Sequence, residues 1–167
     1  MIISPEMFKD LLKRNGMTIV AAESITAGLF ASTLASVKGA SAILKGSVVT
    51  YNIDMKKIFW GVKESTLEEH TAESMQTTRE MVEGLRKAYN KSSIYIAVTG
   101  VASPGTPEYP VKEAVGTTFV VCWMEGQLHE WKELITSEER NEIRQRAVDF
   151  MMEKVYRLVE EKYGDNS

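Results

Sequence analysis

Three short polar stretches hold the residue types that could do chemistry together: Glu23-Ser24-Ile25-Thr26, Tyr51 with Lys56, and Thr99-Gly100-Val101-Ala102-Ser103-Pro104-Gly105. A serine hydroxyl is a poor nucleophile until a base takes its proton. A lysine can be that base if burial or neighbouring cations bring its pKa toward neutrality. Serine, lysine and tyrosine in one place would therefore make an acyl-transfer centre. Each has a plainer reading as well. Ser24 or Thr26 could simply cap a helix, and a lysine on a helix is ordinarily solvated. Gly100 and Gly105 have the spacing of a phosphate-binding loop, but Thr106-Pro107 stands where its lysine and hydroxyl belong and no helix begins there. Backbone N–H groups of that turn, or Thr99, could still hold a phosphate or a polar ring substituent, against ordinary turn chemistry.

For these stretches to meet, each must leave a strand at the same sheet edge. Thr18-Ile19-Val20 reads as a strand ahead of Ser24, and the apolar spacing of Leu29 to Ser36 reads as the helix after it. Gly46 to Tyr51 reads as a second strand, Asp54 to Trp60 as a short helix stopped by Gly61, and Ala72 to Tyr89 as a long helix. Ser93 to Val98 is a buried strand that ends at Thr99-Gly100, and Val101 to Glu113 is a loop with three prolines. Gly116 to Met124 and Leu128 to Ile135 form a hairpin around Glu125-Gly126. Ser4-Pro5-Glu6 opens a first helix that ends at Asn15-Gly16, and Glu138 to about Tyr163 forms a last one. This order predicts one α/β domain over residues 1–167, three layers (α/β/α), with a mixed, mostly parallel sheet and a C-terminal hairpin plus long helix. Parallel neighbours would bring the Ser24 and Thr99 turns side by side at the carboxyl edge, where such sheets bind ligands.

Composition narrows the function classes. A net charge of −3 with acids and bases interleaved gives no field for a nucleic-acid backbone. Cys122 is the sole cysteine and sits in an apolar run, so neither a disulfide within the chain nor a cysteine-rich metal site is expected. His70 and His129 lack metal-ligand spacing and receive no role. Arg140, Arg144 and Arg146 open the last helix beside Glu138, Glu139 and Glu142, where ion pairing is expected, although one arginine could reach over the sheet edge to a phosphate. No apolar stretch has the length of a membrane span, and a cytoplasmic location without a membrane partner is expected. The apolar hairpin and long helices suggest a homo-oligomer.

AESITAGLFASTLASVKGASAILKGSVVTYNIDMKK followed by IAVTGVASPGTPEYPVKEAVGT resembles the CinA C-terminal domain family, whose characterised members are nicotinamide-nucleotide amidases. The likeness runs from about Met17 to Arg146. It implies hydrolysis of the carboxamide of nicotinamide mononucleotide to the carboxylate with release of ammonia. Carried over by motif, Ser24 is the nucleophile, Lys56 the base and Tyr51 the family tyrosine. Glu23, Thr26, Ser41, Thr99, Gly100 and Arg140 fall on positions of the surrounding polar network and would bind substrate. No metal or organic cofactor is implied, because serine supplies the nucleophile and fixed N–H donors can stabilise the oxyanion. The chain departs from the pattern where the family has AESCTGG, an asparagine and AGPGG: here stand Ile25 and Ala27, Ile53, and Ser103. The carbons of Ala27 and Ser103 would stand where glycine lets backbone approach a ligand. These departures keep open a second class, a catalytically silent nucleotide-binding or assembly protein on the same fold.

Overall fold

The computed structural model describes residues 1–164, and its elements alternate in the expected order. They are α1 (Pro5–Arg14), β1 (Ile19–Glu23), α2 (Leu29–Ala35), a 3-10 turn (Ala40–Ala42), β2 (Leu44–Val49), α3 (Ile53–Trp60), α4 (Glu64–His70), α5 (Met75–Ala88), β3 (Ile94–Gly100), β4 (Thr117–Met124), β5 (Gln127–Leu134) and α6 (Arg140–Tyr163). The sheet order is β2-β1-β3-β4-β5. β1 pairs in parallel with β2 and β3, while β4 pairs antiparallel with both β3 and β5. The sheet is thus mixed as expected, but its pairings divide evenly between the two kinds. The reason is the hairpin: Glu125 and Gly126 both take positive φ, at 49° and 82°, the turn that joins adjacent antiparallel strands. α4 was not foreseen. It has seven residues and one buried apolar side chain, Leu67, too little periodicity to read.

Strand alternation divides the interior into two cores, one on each side of the sheet. Ile19, Ala21, Ile94, Ile96, Val98, Val120 and Cys122 pack with α1, α2 and α6. Val20, Ala22, Tyr95, Ala97 and Val121 pack with Trp60 of α3, Leu67 of α4 and the Met81-Val82-Leu85 face of α5. This gives the three-layer sandwich, and Cys122 is core packing as expected, with burial pushing its thiol up to about 12. α3 and α5 touch through Gly84, where a Cβ would run into the Trp60 backbone. Trp60 in turn donates from Nε1 to Thr50 Oγ1 at 2.8 Å, so the end of β2, α3 and α5 are locked together.

Candidate active site

The alternation of β1 does not stop at the strand end, and this divides the two polar residues that follow Ala22. Glu23 falls on the face of α2 and α6, and Ser24 falls on the face of α3. The Glu23 carboxylate, fully buried, accepts five hydrogen bonds: from Thr26 Oγ1 (2.7 Å), Ser47 Oγ (2.6 Å), and the N–H groups of Gly28 (3.2 Å), Phe30 (2.9 Å) and Ala31 (3.3 Å). It therefore caps α2, a favourable place for a carboxylate because unpaired N–H groups gather there. Neither Ser24 nor Thr26 is that cap. Arg144 closes the same turn from above, donating from Nε to the Ile25 carbonyl (3.3 Å) and from Nη2 to the Thr26 carbonyl (2.9 Å).

Ser24, freed from capping, meets Lys56. Asn52 starts α3 by accepting from Asp54 N at 2.7 Å, and Lys56 stands one turn later with its side chain folded back to the end of β2. Its Nζ donates to Ser24 Oγ (2.9 Å), the Thr50 carbonyl (2.7 Å) and the Tyr51 carbonyl (2.9 Å). Lys56 is 1% exposed, and burial brings its ammonium down to about 8, with Glu73 pulling the other way. Near pH 8 the amine is half neutral, and a neutral amine 2.9 Å from a hydroxyl can accept its proton. The expectation of a solvated helix lysine is overturned: three acceptors fix it inside the molecule.

Ser24 opens on a cleft of about 360 Å³ lined also by Tyr51, Glu73, Gly100, Ser103, Tyr109 and Arg140. Adjacent parallel strands do bring the two turns together, with Glu23 opposite Val98 in the β1–β3 register. Gly100 is needed where they touch, since a Cβ there would lie 2.7 Å from Ile25 Cδ1 and 3.0 Å from the Thr117 carbonyl. Arg140, the first residue of α6, donates from Nη1 to Ser103 Oγ (3.3 Å) and from Nη2 to the Tyr51 hydroxyl, spanning the mouth of the cleft. Its partners are hydroxyls rather than carboxylates, which leaves its charge available to an anion. Of its neighbours, Arg146 pairs with an acid as expected, Glu142 at 3.9 Å, and Arg144 has no acidic partner among the described residues.

Several expected substrate contacts lie elsewhere. Glu23 and Thr26 are buried in the capping network and do not line the cleft. Thr99 faces α5, its hydroxyl 2.8 Å from Thr78 Oγ1. Ser41 sits exposed in the turn before β2, and because β2 runs parallel to β1 this is the opposite edge of the sheet. Ala27 is exposed and outside the cleft, so its methyl does not narrow it. Its φ of 48° is what makes glycine the easier residue there. Glu73 and Tyr109 were missed. Nothing in the spacing of Glu73, just ahead of the Ser74 cap of α5, sets it apart from the many surface acids. Among the described residues no group of three His, Cys, Asp or Glu side chains could hold a metal ion, and no helix is long and apolar enough to cross a membrane.

An α/β domain with a buried serine–lysine pair at the carboxyl ends of its parallel strands is the class of protein this site defines. Residues 4–159 match the CinA C-terminal domain family, and the chain belongs to it. A CinA-like protein of Thermotoga neapolitana is 38% identical over 159 residues, which are 94% of this chain and 37% of the relative, so the chain spans little more than a third of that protein's length. The Protein MG115 homolog of Mycoplasma pneumoniae is 34% identical over 155 residues, 93% of this chain and 96% of the relative. Among solved structures, the competence/damage inducible protein CihA of Agrobacterium tumefaciens superposes with a TM-score of 0.78 at 30% identity, covering 95% of this chain and 99% of that one. A competence or damage-inducible protein of Enterobacter asburiae, 23% identical, shares the fold with a TM-score of 0.82 over 93% and 98%.

Proposed function

We propose that the domain is a serine–lysine amidohydrolase that deamidates nicotinamide mononucleotide to nicotinate mononucleotide and ammonia. The observation that carries this reading is the 2.9 Å contact between Ser24 Oγ and a buried lysine whose ammonium is lowered to about 8. Neutral Lys56 takes the hydroxyl proton as Ser24 Oγ attacks the carboxamide carbon. The tetrahedral adduct collapses as the C–N bond breaks, and the Lys56 ammonium returns its proton to the leaving nitrogen, which departs as ammonia. Water then attacks the Ser24 ester, giving its proton to Lys56 while the acid is released and Ser24 Oγ is reprotonated. The reaction balances as amide plus water to acid plus ammonia, and a nucleotide's phosphate would sit against Arg140 at the cleft mouth. Tyr51 contributes its carbonyl to Lys56 and its hydroxyl to Arg140, a positioning role rather than a catalytic one. The substrate is a small nucleotide, the setting cytoplasmic and the protein a homo-oligomer in this reading. Ammonia release by purified protein tests it: wild type releases ammonia from nicotinamide mononucleotide, and Ser24→Ala lowers the rate on the order of 10⁴-fold or more while keeping its thermal unfolding transition. A wild type that binds the nucleotide without releasing ammonia would favour the silent binding protein instead.

A further inference from the structure

Glu73 has no part in the mechanism above, yet it lines the cleft that Ser24 opens on. Its Oε2 is buried and has no hydrogen-bond partner among the described residues. Buried polar atoms are ordinarily satisfied, and a carboxylate oxygen can only accept. The cations nearby do not satisfy it. Lys56 acts on Glu73 through its charge, but its three donors go to Ser24 Oγ and to the carbonyls of Thr50 and Tyr51. Arg140 donates to the Ser103 and Tyr51 hydroxyls. The cleft wall beside the nucleophile thus carries a carboxylate, an acceptor-only group, one oxygen of which is buried and unpaired.

We propose that Glu73 is the specificity-determining residue that recognises the amide N–H₂ of the substrate and rejects the carboxylate product. This rests on the amidohydrolase reading for the identity of substrate and product, and on the geometry of Glu73 for the rest. A primary carboxamide brings two N–H donors to the reacting carbon, and one of them can donate to the Glu73 carboxylate where it lines the cleft. Hydrolysis replaces that nitrogen with a carboxylate oxygen. The Glu73 carboxylate then faces an acceptor of like charge, so the acid is bound less well than the amide as the reaction completes. Burial raises the Glu73 carboxyl, a direction that its own backbone hydrogen bond and the Lys56 charge oppose. The asymmetry between substrate and product holds for the ionised group, and it would drive product release without any movement of the chain.

The test is calorimetric binding of nicotinamide mononucleotide and nicotinate mononucleotide to Ser24→Ala protein, which keeps the substrate intact, and to Ser24→Ala/Glu73→Gln protein. With Glu73 present, the amide binds at least about 10-fold tighter than the acid. With glutamine, whose own N–H₂ can donate to a carboxylate, the ratio falls to about 1 or inverts. A purely structural role for Glu73 would weaken both ligands equally and leave the ratio unchanged, and that result overturns the inference. So does equal binding of the two ligands when Glu73 is present, which needs no variant at that position. Failure of the amidase reading looks different: wild type would release no ammonia while the Glu73-dependent preference for the amide persisted.

Discussion

The two turns that face each other across the cleft are built in opposite ways. The turn from Glu23 to Gly28 is fastened at every level: five hydrogen bonds converge on one carboxylate, Arg144 holds two of its carbonyls, and Ile25 is packed into the core. The segment from Val101 to Gly116 is tied mainly at its base, by Val101 N to the Thr117 carbonyl (2.9 Å) and Gly116 N to the Val101 carbonyl (2.7 Å). Its middle is exposed and braced by a small turn between Thr106 and Tyr109 and by solvent-exposed side-chain contacts, Arg140 to Ser103, Lys112 to the Glu69 carbonyl and Lys132 to Glu113. The nucleophile lies on the fastened turn and the residues that would meet the bulk of a ligand lie on the looser one. A reacting oxygen must hold its place within about 1 Å of its partner, whereas a binding wall gains from being able to settle on what it binds.

Breaking the fastened turn should have the largest effect. Glu23→Ala removes the acceptor of all five bonds and leaves buried donors unpaired. It should cost about 3–5 kcal/mol of stability and, where the protein still folds, on the order of 10²-fold or more in turnover. Denaturant unfolding and ammonia release check both. Loss of stability alone, with turnover intact, would mean that the turn does not position Ser24. On the looser side, Ser103→Gly removes the hydroxyl that Arg140 reaches and should change affinity for the nucleotide by about 3- to 10-fold, with turnover at saturation and the melting temperature unaltered. Calorimetry on the pair of proteins measures this, and a fall in melting temperature of several degrees would place Ser103 with the structural residues. The smallest effect is expected from Ala27→Gly. Relief of the 48° φ is opposed by glycine's greater entropy loss on folding, so stability should rise by no more than about 1 kcal/mol and affinity should stay the same, because this methyl faces solvent.

The same contrast explains what the sequence disclosed. The order of elements, the meeting of the Ser24 and Thr99 turns and the hairpin were legible because apolar periodicity, Pro, Gly and capping residues write them locally. Which side chain enters the cleft was not, because it depends on the parity of the strand at its end. One step along β1 separates Glu23, which caps α2, from Ser24, which meets Lys56. Thr99 likewise turns to Thr78 and away from the cleft. Burial of Lys56 was invisible for another reason: its side chain folds back over the end of β2 to meet Ser24, a residue far back along the chain that only the fold brings near. Ser41 was carried over by its match to a family position, and a motif match does not say at which end of β2 the residue lies.

The central claim is that a buried, neutral Lys56 activates Ser24, and the dependence of kcat/KM on pH tests it most directly. The Lys56 pKa is lowered in the folded protein, so the base form is scarce below pH 8 and predominates above it. The rate of ammonia release should therefore rise about tenfold per pH unit below an apparent pKa of about 8 and level off above it, and Lys56→Met should abolish that limb together with most of the activity. Stability should follow the same group: the unfolded chain holds the lysine proton up to about 10.5, so the folded state gains as pH rises from about 8 toward that value. A wild-type profile that is flat through pH 8, or a Lys56→Met protein that keeps the same limb, would contradict the account.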